Sequence, residues 1–123
     1  MVDAAQIRSA VERYVATVGS GTSAQIAALF SEHATLEDPV GSPPLVGREA
    51  IEKFYGAMDS VQTSTELHTV RVAGDSAAFA FRVVKKTADR VVVFEPIDVM
   101  TLDADARITS MRAFWSAGDV QAG

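Results

Sequence analysis

The chain has 123 residues, no cysteine and a formal net charge of -5. That length suits one domain over residues 1–123 with a core that needs no staples, and the missing cysteines exclude disulfides, thiolate catalysis and cysteine metal sites. The acidic balance argues against a nucleic-acid or anionic-membrane partner, and no apolar run nears the roughly 18 residues needed to span a bilayer.

The first element is a helix. Asp3 and Gln6 form a capping box, and Ile7, Val11, Tyr14 and Val18 follow at helical spacing until Gly19-Ser20-Gly21 stops them. No charged segment leads into an apolar run at the start, so no signal peptide is expected and a cytoplasmic setting is compatible. Thr22 and Gln25 repeat the cap before a shorter helix carrying Ile26, Leu29 and Phe30. Ala34 to Asp38 alternates as a strand, ended by Pro39, and Gly41-Ser42-Pro43-Pro44 is a stiff loop. A third helix is expected from about Arg48 to Met58, with Ile51, Phe54, Tyr55 and Met58 on one face.

Strands fill the rest. Leu67 to Val72 alternates weakly. Ala77 to Val84 sets Phe79, Phe81 and Val83 on one face, and the adjacent Lys85-Lys86 reads as a solvated hairpin end. Val91 to Leu102 sets Val92, Phe94, Asp98, Met100 and Leu102 on one face, and Arg107 to Trp115 does so for Met111, Ala113 and Trp115. Ala88-Asp89 and Asp103 to Ala106 read as turns. Helices first and strands later make an α+β chain, in which a curved antiparallel sheet with helices over one face encloses a cavity.

Three proton-bearing residues stand where core residues belong. Tyr14 is on the apolar stripe of the first helix, Asp38 follows Leu36 on one face of a strand, and Asp98 lies between Phe94 and Met100. Each has an ordinary structural role when taken alone: a core tyrosine, a turn aspartate, a buried ion-pair partner. Together, on elements whose apolar faces must meet, they favour an acid–base site in a dry pocket. Desolvation favours the neutral form of Asp98, which then donates a hydrogen bond as the Tyr14 hydroxyl does. Two donors on one oxygen stabilise an enolate, and Asp38 at a strand end suits a general base. This is equipment for removing a proton next to a ketone. His33 and His68 lie far apart without ligand spacing, so no metal site is expected, and neither a phosphate loop nor a nucleophile elbow is present.

Arg13-Tyr14-Val15, Thr35-Leu36-Glu37-Asp38-Pro39-Val40-Gly41-Ser42, Pro96-Ile97-Asp98-Val99-Met100 and Met111-Arg112-Ala113-Phe114-Trp115 resemble the bacterial steroid Δ-isomerases, or ketosteroid isomerases. The resemblance implies the cone-shaped NTF2-like fold, a mixed or antiparallel curved sheet and three helices around an apolar pocket, assembled as a homodimer. It implies cofactor-free isomerisation of a Δ5-3-ketosteroid to its conjugated Δ4 isomer. Asp38 would carry the C4 proton to C6, while Tyr14 and a neutral Asp98 hold the dienolate oxygen; this family is itself the known example of a carboxylic acid kept neutral by its apolar site. Tyr55 would hydrogen-bond Tyr14, and Phe30 stands where some members extend the hydroxyl chain. Val18, Phe54, Phe81, Val83, Met100, Met111, Ala113 and Trp115 would line the steroid pocket, although core packing explains them equally well. Two other outcomes stay open. One is a different enzyme on this fold, an epoxide hydrolase or polyketide cyclase; the hydrolases set an arginine between two aspartates, and here Arg82 alternates away from Phe79, Phe81 and Val83. The other is a non-catalytic binding module, which would have no need of a buried, unpaired Asp98.

Overall fold

The computed structural model describes residues 2–122. Its elements are α1 (Ala4–Ser20), α2 (Ser23–Ala27), β1 (Phe30–Glu37), β2 (Leu45–Val46), α3 (Arg48–Tyr55) with a 3-10 turn at Gly56–Met58, β3 (Gln62–Ala73), β4 (Ser76–Lys86), β5 (Val91–Phe94), β6 (Ile97–Leu102), β7 (Ile108–Phe114), a 3-10 turn at Ala117–Asp119, and β8 (Val120–Ala122). This is the α+β, mixed-sheet architecture expected, and the sheet is not closed into a barrel.

Both capping boxes form. Asp3 Oδ1 accepts from the Gln6 N–H at 2.8 Å, and the Gln6 side chain accepts from the Asp3 N–H at 2.9 Å. Thr22 and Gln25 do the same ahead of α2. These caps satisfy amides that the helix starts leave orphaned. The C-terminal end of α1 lies directly on β3: a Cβ on Gly19 would come within 2.5 Å of Thr65 Oγ1. The Thr65 hydroxyl in turn donates to the Val15 carbonyl at 2.7 Å. A glycine is required there by close approach.

The strands run in the order β2-β1-β7-β6-β4-β5-β8, with β3 on the other edge of β4. Among these strands only β1 and β7 pair in parallel. Three register shifts, in β1/β7, β3/β4 and β6/β7, interrupt the ladders. Such bulges sharpen the local twist and bend the sheet. The helices cover its concave side, and Ile7, Val11, Ile26, Phe30, Leu36, Ile51, Phe79 and Ile108 form the core between them.

Three expectations change. Val91 to Leu102 is two strands, broken at Glu95-Pro96: β4 pairs with β6 through Ser76–Ala80 and with β5 through Val83–Lys86. Proline has no N–H for the ladder, so the chain changes its contact with β4 there. Phe30 opens β1 rather than closing the second helix: it pairs with Ile108 of β7, and both Nε and Nη2 of Arg48 donate to its carbonyl at 3.1 and 2.7 Å. The short strands β2, paired with β1, and β8, paired with β5, have no counterpart among the expected elements. Among the described residues no helix is long and apolar enough to cross a membrane.

Candidate active site

Strand alternation decides the inward direction of Asp98. In β6 every second residue is buried: Asp98, Met100 and Leu102. Asp98 stands opposite Phe79 of β4 and Ala113 of β7, 2% exposed, and its Oδ1 has no hydrogen-bond partner. Burial, then the neighbouring Asp38 charge, hold its pKa well above the ordinary aspartate value. An ion without a partner is costly to keep dry, so the surroundings of Asp98 favour its neutral form.

Tyr14 reaches the same space from α1. Its ring sits edge-on to Phe30, Phe79 and Phe81, and its hydroxyl shares a 2.7 Å hydrogen bond with the Tyr55 hydroxyl at the end of α3. Burial is the first cause that raises the pKa of both phenols, so both remain protonated. Phe30 packs against both rings and ends the hydroxyl chain at two members.

Asp38 lies just past the end of β1. The following loop is tied to β7 by the Val40 N–H donating to the Ala113 carbonyl at 2.8 Å. Glu37, pointing the other way, pairs with Arg112 Nε at 3.1 Å on the outer face. Asp38 is half-buried, and Trp115 Nε1–H donates to its Oδ1 at 2.7 Å. Burial raises its pKa; the Trp115 hydrogen bond and the Lys85 charge pull it back, and the net direction is upward. A carboxylate adjusted this way is a stronger base than a solvated one.

These residues share one cavity of about 430 Å³, within the usual range for small-molecule pockets. Its wall includes Tyr14, Asp38, Tyr55 and Asp98, together with Val18, Phe54, Phe81, Val83, Ala113 and Trp115. Met100 and Met111, expected on that wall, are instead buried in the core and do not reach it. They share the strand face of the cavity but lie at a level filled by packing. The sequence reading missed the hydrogen bond from Trp115 to Asp38, and it missed Phe94, Pro96 and Lys85 as lining residues. Lys85 is half-buried and continues the Phe79, Phe81, Val83 alternation, so it is a wall residue and not a solvated hairpin end. Arg82 is exposed and no arginine lines this cavity among the described residues. A second, wider depression of about 1060 Å³ opens outside α3 and β1. It is charged, open to solvent and remote from the three acid–base residues, so it lacks the dry environment their chemistry needs.

A SnoaL-like domain model matches residues 11–111. The chain belongs to the SnoaL-like domain family. Its sequence is also 54% identical over 116 residues to a steroid Delta-isomerase of Nocardioides simplex, covering 94% of each chain. This SnoaL-like domain therefore also belongs with the steroid Delta-isomerases, as its sequence motifs imply. Among solved structures, an epoxide hydrolase/cyclase-like enzyme with a role in pyran ring formation in polyether salinomycin superposes with a TM-score of 0.92 at 28% identity, over the whole of both chains.

The buried acid makes a prediction about stability. With its folded pKa raised, Asp98 binds its proton in the folded state at pH values where the unfolded chain has lost it. Its contribution is then fully present below the ordinary carboxyl range and is lost as pH rises toward and through the folded pKa. Asp98→Asn removes that titration. Urea unfolding at about pH 4 and about pH 8 should show wild type losing more stability than the variant on going to the higher pH. Equal pH dependence in the two proteins would contradict a neutral, buried Asp98.

Proposed function

We propose that this protein moves the double bond of a Δ5-3-ketosteroid into conjugation, giving the Δ4 isomer through a dienolate. The observation that carries this reading is the orphaned Asp98 Oδ1 beside the Tyr14 hydroxyl in an apolar cavity that also holds Asp38. With Tyr55 as the donor in the hydrogen bond the two hydroxyls share, the Tyr14 proton is free for the substrate oxygen, and the neutral Asp98 supplies a second donor. Asp38 takes the C4 proton; the electron pair moves into the ring and the C3 oxygen becomes the oxyanion held by the two donors. Asp38 then returns the proton at C6, so atoms balance with no added group. A donor pair organised in advance in a dry site stabilises the dienolate far more than water does.

Turnover of 5-androstene-3,17-dione, followed by the absorbance of the conjugated enone, tests the reading directly. Fast conversion is expected, and a folded protein that leaves the substrate unchanged would refute it. The Asp98 variants test the donor role. Asp98→Asn keeps a neutral N–H donor and should retain more activity than Asp98→Ala, which has none. If the alanine variant is the faster of the two, the donor role is wrong.

The protein works as a homodimer in this reading, through the outer face of β6 and β7. Ile97 and Phe114, paired in register there, are 52% and 42% exposed, and Arg112 lies 5.4 Å from the Phe114 ring centre. Neighbouring exposed apolar side chains on the outer sheet face support self-association. Wild type should sediment as a dimer and Phe114→Glu should shift it toward monomer; a monomeric wild type at micromolar concentration would remove the dimer.

A further inference from the structure

Lys85 influences the isomerisation above only through its charge on Asp38, and neither binds the ketone nor carries the proton. It is the only cation on the wall among the described residues, and every other polar side chain there (Tyr14, Asp38, Tyr55, Asp98 and Trp115) already has a part in the chemistry. No carboxylate lies within salt-bridge distance of its ammonium among the described residues. Nζ lies instead 5.7 Å from the centre of the Phe94 ring, which is itself edge-on to Trp115 at 4.8 Å. An ammonium held over an aromatic face is steadied without being neutralised.

Its place along the cavity is set by β4. Phe79 stands opposite Asp98, and Lys85 stands opposite Val92 of β5, six residues further along the same strand face. At about 3.3 Å per residue that is roughly 20 Å of strand, shortened by curvature and by the reach of the lysine chain. Asp98 and the cation therefore stand well apart along the length of one apolar wall.

Resting on the isomerase reading, the geometry points to Lys85 as a specificity residue for a 3-ketosteroid carrying an anionic oxygen group, carboxylate or sulfate, at the end remote from the reacting ketone. The ketone oxygen meets Tyr14 and Asp98, the apolar ring system fills the cavity, and the anion at the far end pairs with the ammonium. A neutral end group in that place leaves Lys85 with only the Phe94 ring. A charge-assisted hydrogen bond in a partly dry site is among the stronger polar contacts, so the discrimination is on the order of tenfold to a hundredfold.

The test uses three conjugated Δ4-3-ketosteroids that share a ring skeleton and differ at C17: a hydroxyl, a sulfate ester and a carboxylate. All are reaction products or their analogues, so affinity is read without turnover, from quenching of the single tryptophan, Trp115. Wild type should bind at least one anionic ligand about tenfold or more tightly than the neutral one, with a preference that weakens as salt rises. Lys85→Met should collapse that ratio, Lys85→Arg should keep it, and Lys85→Glu should invert it. The sulfate and carboxylate arms show which anion is taken. An unchanged ratio in Lys85→Met, or no anionic preference in wild type, overturns the inference. Turnover of the neutral Δ5 ketone by wild type is measured beside it. Turnover without an anionic preference defeats only the specificity role, and an anionic preference without turnover defeats only the isomerase reading.

Discussion

Asp38→Asn should lower kcat by about 10²–10⁴-fold, the range general-base removal commonly produces. The amide is nearly the same size as the carboxylate, and its oxygen can still accept the Trp115 N–H at the position Asp38 Oδ1 holds at 2.7 Å. Cavity shape and steroid affinity should therefore survive, which fluorescence titration checks beside the enone assay. What is lost is the lone pair that takes the C4 proton. A variant that turns over as fast as wild type would place the base elsewhere in the cavity.

The same residue sets the pH profile. Asp38 works deprotonated, and its pKa is held above the ordinary aspartate value chiefly by burial, against the hydrogen bond from Trp115 and the charge of Lys85. The rate should fall as pH drops through that raised pKa. Removing Lys85 removes one of the two influences that hold the value down, so Lys85→Met should move the acid limb of kcat/KM to higher pH. Burial shifts Tyr14 and Asp98 upward as well, which favours their protonated forms and leaves the limb to Asp38.

The triad was legible in the sequence because alternation leaves no choice. Once Met100 and Leu102 face the core, Asp98 two residues before Met100 must face it too, and Tyr14 follows Val11 by the same logic on a helix. Period tells the face of an element but not the depth along it. Met100 and Met111 share the inward face with Asp98 and Ala113, yet pack below the cavity, where the sheet and helices leave no room for a ligand. Lys85 shows the converse. Its phase with Val83 was visible, but the neighbouring Lys86 made the pair look like a solvated end. The split at Pro96 lets β5 take over from β6 beside the far half of β4, which puts Lys85 against a wall instead of in water. Proline signalled a break; which strand β4 would meet beyond it depended on the register of residues far away in sequence.

Tyr14→Phe should raise the barrier by about 3 kcal/mol, the usual effect of losing one oxyanion donor, which is roughly a hundredfold in rate. The loss should fall on kcat more than on KM, since a ketone oxygen accepts a hydrogen bond less strongly than the dienolate it becomes. The aromatic contacts with Phe30, Phe79 and Phe81 remain, so the cavity wall keeps its shape. The change also strands the Tyr55 hydroxyl, whose 2.7 Å partner is gone, and a buried hydroxyl without a partner costs about 1–3 kcal/mol of stability. Tyr55 can recover part of both losses by turning toward the substrate oxygen. Tyr14→Phe/Tyr55→Phe closes that route, so the double variant should be slower than Tyr14→Phe while being little less stable, or more so. If both single and double variants keep wild-type kcat, the dienolate oxygen is held by Asp98 alone, and the hydroxyl pair serves only the packing of α1 against α3.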